Sequence, residues 1–230
     1  MNRIDDDDNV KAVIITGAGE KAFSSGFDME NVKATGTVGW ERLVRNNYDA
    51  LMQIWRLKKP TVAAVNGYAI AAGVSLAMVC DVVIASDTAV FAEPEIRHFA
   101  LSPLLILPWI GTNRKLINYH YYTGDPIDAA LAEKLGMAAK VVPAADLQAE
   151  AEHMAHRIAM VPAFPLQATK DSLVRTYETM GIVSALDYHR VLDTLVLSAT
   201  GIEEKDELLS ILHNEGAKAF FQARDGRFKA

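Results

Sequence analysis

The sequence predicts an α/β protein with a parallel sheet at its centre. That expectation rests on short, nearly unbroken β-branched runs in the first half, helical stretches between them, and mostly helical periodicity after residue 104. The first run, Val10-Lys11-Ala12-Val13-Ile14-Ile15-Thr16, has the apolar continuity of a strand buried on both faces and stops at Gly17 and Gly19. Trp40, Val44, Tyr48, Leu51 and Trp55 recur every three to four residues with Glu41, Arg42, Arg45 and Asp49 between them, as an amphipathic helix on the sheet requires. Pro60 opens a second strand over 61–65 that ends at Asn66-Gly67, and a helix over 73–79 leads to a third strand over 81–86. Strands alternating with helices in this way call for right-handed crossovers. Beyond Glu95 the expected helices cover 129–135, 147–160, 164–197 and 203–224, and only Lys140-Val141-Val142 reads as another strand.

Composition narrows the class of function. The chain has 230 residues, 50% hydrophobic and 23% charged, which provides enough apolar surface for a packed core and excludes disordered, collagenous or disulfide-stapled classes. A formal net charge of −6 argues against a general electrostatic grip on nucleic acid or anionic lipid and favours a small-molecule partner. Cys80 is the sole cysteine, so no internal disulfide forms, and its apolar neighbours Met78 and Val79 predict a buried thiol in a reducing compartment. The aspartate run from Asp5 to Asp8 is unlike a secretory signal, and the apolar stretch over 101–110 is broken by Pro103 and Pro108. Such a stretch falls short of the ~20 residues that span a bilayer, so a cytoplasmic protein without membrane spans is expected. Residues 1–142 are expected to form the α/β core and 143–230 a helical region, whose plentiful apolar residues, Leu208, Leu212 and Phe220 among them, suit self-association.

In open α/β sheets ligands bind beyond the carboxyl ends of strands, which draws attention to the loops after the first two. The first loop begins Gly17-Ala18-Gly19-Glu20-Lys21-Ala22, a match to G-x-G-x-x-A, but Ser24-Ser25-Gly26 would interrupt the helix that a dinucleotide's pyrophosphate needs. The second reads Asn66-Gly67-Tyr68-Ala69-Ile70-Ala71-Ala72-Gly73-Val74-Ser75-Leu76. Its small residues would let a ligand approach backbone amides, and they equally suit tight packing of a helix on the sheet.

Taken together, Ala22-Phe23-Ser24-Ser25-Gly26-Phe27-Asp28-Met29, Pro60-Thr61-Val62-Ala63-Ala64-Val65-Asn66-Gly67-Tyr68-Ala69, Cys80-Asp81-Val82-Val83-Ile84-Ala85 and Phe91-Ala92-Glu93-Pro94-Glu95 form a series with family character. In order and spacing it resembles the enoyl-CoA hydratase/isomerase (crotonase) family. Later segments agree, among them Thr123-Gly124-Asp125-Pro126-Ile127-Asp128-Ala129 and Glu215-Gly216-Ala217-Lys218-Ala219-Phe220. The resemblance covers nearly the whole chain. It implies a spiral of ββα units with a helical C-terminal oligomerisation region, assembly as a homotrimer or a dimer of trimers, and an acyl-CoA thioester as substrate with no further cofactor and no metal. By motif position it implies an oxyanion hole made by the N–H groups of Phe27 and Ala72, and contacts to the CoA ester from Ser25, Asp28, Met29, Tyr68 and Pro94. Fixed donors of this kind stabilise an enolate oxygen more than the thioester carbonyl from which it forms.

The acid/base group is where the chain departs from the hydratase pattern. Hydratases of the family hold water between two glutamates; here the first position is Ser75 and the second is Glu95. One carboxylate can carry a proton from one carbon to another while the oxyanion hole holds a dienolate, which is a 3,2-trans-enoyl-CoA isomerase cycle. Ser75 could instead orient water for hydration with Glu95 as base, an arrangement that resembles aromatic hydroxycinnamoyl-CoA hydratase-lyases; it also suits a plain small helix residue. After Glu95 the family's glycine-rich stretch is replaced by Ile96-Arg97-His98-Phe99-Ala100-Leu101, which would reshape the acyl pocket. The family's opening β-hairpin and helix have no counterpart before Val10, so a shortened core with an unpaired edge is expected. A non-catalytic relative that binds CoA esters or joins an assembly is the alternative. His153 and His156 share a helix face without a third ligand, so a surface helix is expected there. Ser75 with His98 lacks the G-x-S-x-G context of a hydrolase triad.

Overall fold

The computed structural model describes the backbone of residues 2–28 and 32–228. A short helix α1 (Asn2–Asp5) precedes strands β1 (Val13–Thr16) and β2 (Ala22–Ser24) and helix α2 (Gly36–Trp55). Next come β3 (Thr61–Val65), β4 (Tyr68–Ile70), α3 (Ala72–Met78), β5 (Val82–Ser86), β6 (Val90–Ala92) and a 3-10 turn over Pro94–His98. The chain continues through α4 (Leu107–Ile110), α5 (Arg114–Thr123), β7 (Ile127–Asp128), α6 (Ala129–Leu135) and β8 (Lys140–Val142). After a 3-10 turn over Ala144–Asp146 come α7 (Leu147–Ala159), α8 (Ala163–Thr179), α9 (Ile182–Ser198), α10 (Glu203–Glu215) and α11 (Ala217–Gly226).

From β1 to β6, consecutive strands go to different sheets, and β7 then pairs with β6. One sheet has the order β1-β3-β5-β8 and the other β2-β4-β6-β7. Neighbours are parallel throughout except for β6 and β7. Each β-β-α unit therefore adds one strand to both sheets before a helix returns the chain, which is the ββα spiral. Side-chain alternation packs the larger sheet on both faces. Val62, Ala64 and Ile84 meet Leu147 and Ala151 of α7 on one side, while Ala63, Val65 and Ala85 join the main core with Leu51 and Met52 of α2 on the other. Helix α7 thus closes a face of this sheet from beyond residue 142. β1 pairs only with β3 among the described residues and forms an edge.

Several elements differ from the expectation. The helix expected over 164–197 breaks at Gly181 (φ +103°), and the one over 203–224 breaks at Gly216 (φ +85°), conformations that favour glycine. Strands β2, β4, β6 and β7 span only two or three residues, too few to show alternation, and β7 corrects the expectation of a single late strand at 140–142. Helix α5 is capped by Asn113, whose Oδ1 accepts from the Leu116 N–H at 3.2 Å.

The C-terminal helices fold back onto the first half of the chain. Lys170 of α8 is buried and donates to Asp81 Oδ2 at 2.5 Å and to the Lys59 carbonyl at 3.3 Å. Arg190 of α9 meets Glu41 of α2 at 3.1 Å, and Arg97 of the first 3-10 turn meets Asp225 of α11 at 3.3 Å. Among the described residues no helix is long and apolar enough to cross a membrane.

Candidate active site

β4 lies between β2 and β6, and because all three run parallel their carboxyl ends emerge at one edge. Ser24 is in register with Ala69, and Ile70 with Ala92. Beyond β2 the chain presents Ser25-Gly26-Phe27-Asp28, beyond β4 it turns into α3 at Ala71 and Ala72, and beyond β6 it presents Glu93-Pro94-Glu95. The Ala71 N–H donates to the Ala92 carbonyl at 2.8 Å, which ties the second loop to the third. Ala71 itself has φ 58° and ψ −124°. For a residue with a side chain that conformation costs about 1–3 kcal/mol, and it is held here by the neighbouring strands.

Gly26 joins the first loop to the second. Its φ is +89°, and a Cβ at this position would stand 2.9 Å from Ala71 Cβ, 3.0 Å from the Ile70 carbonyl oxygen and 3.4 Å from the Ala72 nitrogen. Only a bare backbone fits, and it brings the peptide leading to Phe27 against the first residue of α3. As that first residue, Ala72 has no acceptor within its own helix for its N–H. Gly73 answers the packing requirement: a Cβ there would lie 2.3 Å from the Ser24 carbonyl oxygen. Close helix packing and close approach to an amide are therefore both present, on adjacent residues.

Two carboxyls follow. Glu95 is 5% exposed and neither of its oxygens has a hydrogen-bond partner. Glu93 is also buried; its Oε1 accepts from Ser102 Oγ at 2.5 Å, and its Oε2 has no partner. Burial raises Glu93 above the ordinary carboxylate range, against the hydroxyls of Ser102 and Tyr121, which favour the charged form. Burial first, and the like charge of Glu93 second, push Glu95 well above that range. Farther out, Asp193 of α9 is raised to about 6 by burial although its Oδ1 accepts from the Leu101 N–H at 2.9 Å. His98 is lowered to about 4, first by burial and then by the Arg224 charge, and its ring stands edge-on to Phe220 at 5.6 Å. An unpaired carboxyl with raised proton affinity, next to a cluster of backbone amides, can take a proton from carbon and return it.

The structure distributes the other expected site residues unevenly. Ser75 is fully buried and its Oγ accepts from the Leu104 N–H at 3.2 Å, so the hydroxyl ties α3 to the segment after the 3-10 turn. Pro94 is buried at the start of that turn, whereas Ser25, Phe27 and Asp28 are exposed at the end of the first loop. Tyr68 is exposed at the start of β4, the end of the strand away from Ala71 and Ala72. Met29 lies outside the described residues. The loop at Gly17 runs into strand β2 and not into a helix, which removes the helix N-terminus that a dinucleotide would use. Ser75 and His98 face different partners, Leu104 and Phe220. His153 and His156 are exposed on α7, and among the described residues no three His, Cys, Asp or Glu side chains gather where a metal ion would be held. Burial pushes the Cys80 thiol up to about 12.

Sequence reasoning passed over Glu93, Ser102, Tyr121, His189, Asp193 and Arg224. A signal existed for Glu93, since it stands two residues after the wholly buried Phe91 on an extended segment and so shares its inward face. Ser102 comes from the segment between the 3-10 turn and α4, and the others reach the site from helices α5, α9 and α11 and leave no local trace.

A ββα spiral with backbone amides and a buried, unpaired carboxyl at one sheet edge defines the class of protein. The whole chain, residues 1–230, matches the family described as enoyl-CoA hydratase/isomerase. It is 34% identical over 233 residues to the probable enoyl-CoA hydratase echA8 of Mycobacterium tuberculosis, covering 98% of this chain and 82% of the relative. It is 32% identical over 232 residues to the carnitinyl-CoA dehydratase of Escherichia coli K12, covering 97% and 83%. A crystal structure of an enoyl-CoA hydratase/isomerase from Xanthobacter autotrophicus Py2 superposes with a TM-score of 0.93 at 35% identity, covering 100% of this chain and 86% of that one. The chain belongs to the enoyl-CoA hydratase/isomerase family.

Proposed function

We propose that the protein acts on acyl-CoA thioesters by forming an enolate, with the N–H groups of Phe27 and Ala72 as the oxyanion hole and Glu95 as the acid/base group. The observation that carries this reading is Glu95 itself: buried, with both oxygens unpaired, three residues beyond the carbonyl that binds the Ala71 N–H. In the isomerisation of a 3-enoyl thioester, ionised Glu95 takes the proton from C2. The electron pair moves onto the thioester oxygen to give a dienolate, and Glu95 returns the proton at C4, leaving the double bond between C2 and C3. Each hole donor contributes about 3 kcal/mol to such a charge.

The burial of Ser75, whose Oγ accepts from the Leu104 N–H, favours isomerisation over hydration, because a wholly enclosed hydroxyl with one proton to give stands where a second carboxylate would hold water. Hydration of a 2-enoyl thioester, in which Glu95 gives its proton to C2 while water adds through its oxygen at C3 and leaves its own proton on the carboxylate, is the second reading; it is favoured by the names of the relatives, a hydratase and a dehydratase. No cofactor beyond the CoA ester is part of the proposal. The reading extends to assembly as a homotrimer or dimer of trimers through the C-terminal helices, where Phe164, Leu173, Tyr188 and Leu195 are exposed.

A panel of 2-enoyl- and 3-enoyl-CoA thioesters, followed by mass spectrometry and by absorbance of the conjugated thioester, tests the proposal. Turnover of at least one is expected, with a loss of about 10²-fold or more in Glu95→Gln. Full activity in that variant, or thioester binding without turnover, rejects it.

A further inference from the structure

We propose that Glu93 and Glu95 hold a single proton between them in the resting protein, Glu93 carrying the charge against Ser102 and Glu95 carrying the proton. Glu93 is then a positioning residue that sets the protonation state of Glu95 without touching substrate. The two carboxyls are two residues apart and both buried, and three of their four oxygens lack a partner. Neighbouring carboxyls withdrawn from water cannot both ionise unless a cation or several donors compensate.

The groups facing the pair supply little compensation. From α5, the Tyr121 hydroxyl favours the charged form of Glu93, and His120 lines the same small cavity as Glu93. From α9, Asp193 adds a further like charge to Glu95, while His189 spends Nε2 on the Ser102 carbonyl at 2.7 Å. From α11, the Arg224 guanidinium acts on Glu95 but is engaged by both oxygens of Asp225, at 2.9 and 2.8 Å. Within the 3-10 turn, His98 is held neutral by burial. Ser102 decides the order: its single hydroxyl proton lies closer to Glu93 Oε1, at 2.5 Å, than to the Leu104 carbonyl, at 2.8 Å, and so favours that carboxylate, whereas Glu95 receives no side-chain donor.

The kinetic consequence rests on Glu95 being the acid/base group of the proposed reaction; the spectroscopic one does not. If abstraction from C2 comes first, activity rises with pH as Glu95 ionises; if donation to C2 comes first, activity falls. In either case, removing the Glu93 charge lets Glu95 ionise at lower pH, so Glu93→Gln moves the limb down.

Infrared difference spectra of the unliganded protein as a function of pH provide the test. A protonated carboxyl band is expected at pH 8, above the value of about 7 to which Glu93 is raised, in the wild type and largely lost in Glu95→Gln. In Glu93→Gln it should titrate at a pH lower by about one unit or more. The pH–rate limb should shift by the same amount. Absence of the band in the wild type, or an unmoved titration in Glu93→Gln, overturns the proposal. Should Glu93→Gln fail to fold, Glu95→Gln gives the second measurement: the step at higher pH must disappear, leaving Glu93 to titrate close to the lower step of the wild type, and a carboxyl step remaining at the higher pH refutes the assignment. A band that behaves as expected alongside full activity in Glu95→Gln would leave the shared proton standing and remove the catalytic reading.

Discussion

Gly26→Ala tests the pairing of the first two loops, because the added methyl has a defined place to collide. The variant would carry φ +89° on a residue with a side chain and place a Cβ 2.9 Å from Ala71 Cβ and 3.4 Å from the Ala72 nitrogen. The left-handed conformation alone costs about 1–2 kcal/mol. For a chain of this size that corresponds to a fall in Tm of about 2–8 °C. Relief of the contact must push Phe27 away from Ala72, and loss of one such donor lowers kcat by about 10²–10³. Gly36→Ala is the control, since Gly36 has φ +62° with nothing within 4 Å of its would-be Cβ. It should lose comparable stability and keep its kcat. Steady-state kinetics on whichever thioester is turned over, with thermal melts of both variants, give the comparison. Wild-type kcat in Gly26→Ala, or equal losses of kcat in the two variants, would show that the Phe27 and Ala72 amides do not act together.

Two further expectations concern stability. Asp193 rises from 3.8 to about 6 on folding through burial, so its contribution is full below the unfolded value and lost as pH rises through about 6. Asp193→Asn retains an acceptor for the Leu101 N–H; denaturant titration should find it more stable than the wild type by up to about 3 kcal/mol at pH 8 and little different at pH 4. An equal effect at both values would refute the linkage. Lys170→Ala leaves Asp81 with only its Thr61 donors, at 2.7 and 2.9 Å, and unties α8 from the sheet. Because the Asp81 side chain is 32% exposed and keeps its Thr61 donors, a loss of about 1–2 kcal/mol in urea unfolding is expected, and no loss would show that the pair is not energetically coupled to the fold.

The larger sheet was legible because its strands are long enough to show their burial. Thr61–Val65 is apolar almost throughout and has every residue buried, and the sequence expectation placed it at the same bounds. The smaller sheet was not legible, although its carboxyl edge carries the site. Tyr68–Ile70 and Val90–Ala92 are three residues each, and their conformation depends on pairing with one another and with β2 rather than on local preference. Gly181 and Gly216 were visible as glycines, but only the left-handed φ that each adopts divides the long helical stretches. At the site, Gly26 and Ala72 were found as parts of a pattern, and the structure adds the steric reason they lie together. Ser75 was ambiguous in sequence because a buried serine can orient water or bond a backbone amide, and its role depends on where Leu104 returns.

That dependence on distant returns accounts for the carboxyls as well. A glutamate after a proline on a loop is by composition a solvated group. Glu95 is buried because the segment that follows it is stitched to α9, through the Leu101 N–H to Asp193 across 92 residues and the Ser102 carbonyl to His189 across 87. Helix α11 is fixed over the 3-10 turn by the Arg97–Asp225 pair. The loops after β2 and β4 supply the amides from local geometry, whereas the burial that raises the proton affinity of Glu95, beyond what neighbouring Glu93 adds, is completed by helices from the far end of the chain. Disturbing α9 or α11 should therefore change the pH at which Glu95 works before it changes the position of the amides, since the Ala71–Ala92 bond and the Gly26 contact lie wholly within the first 92 residues.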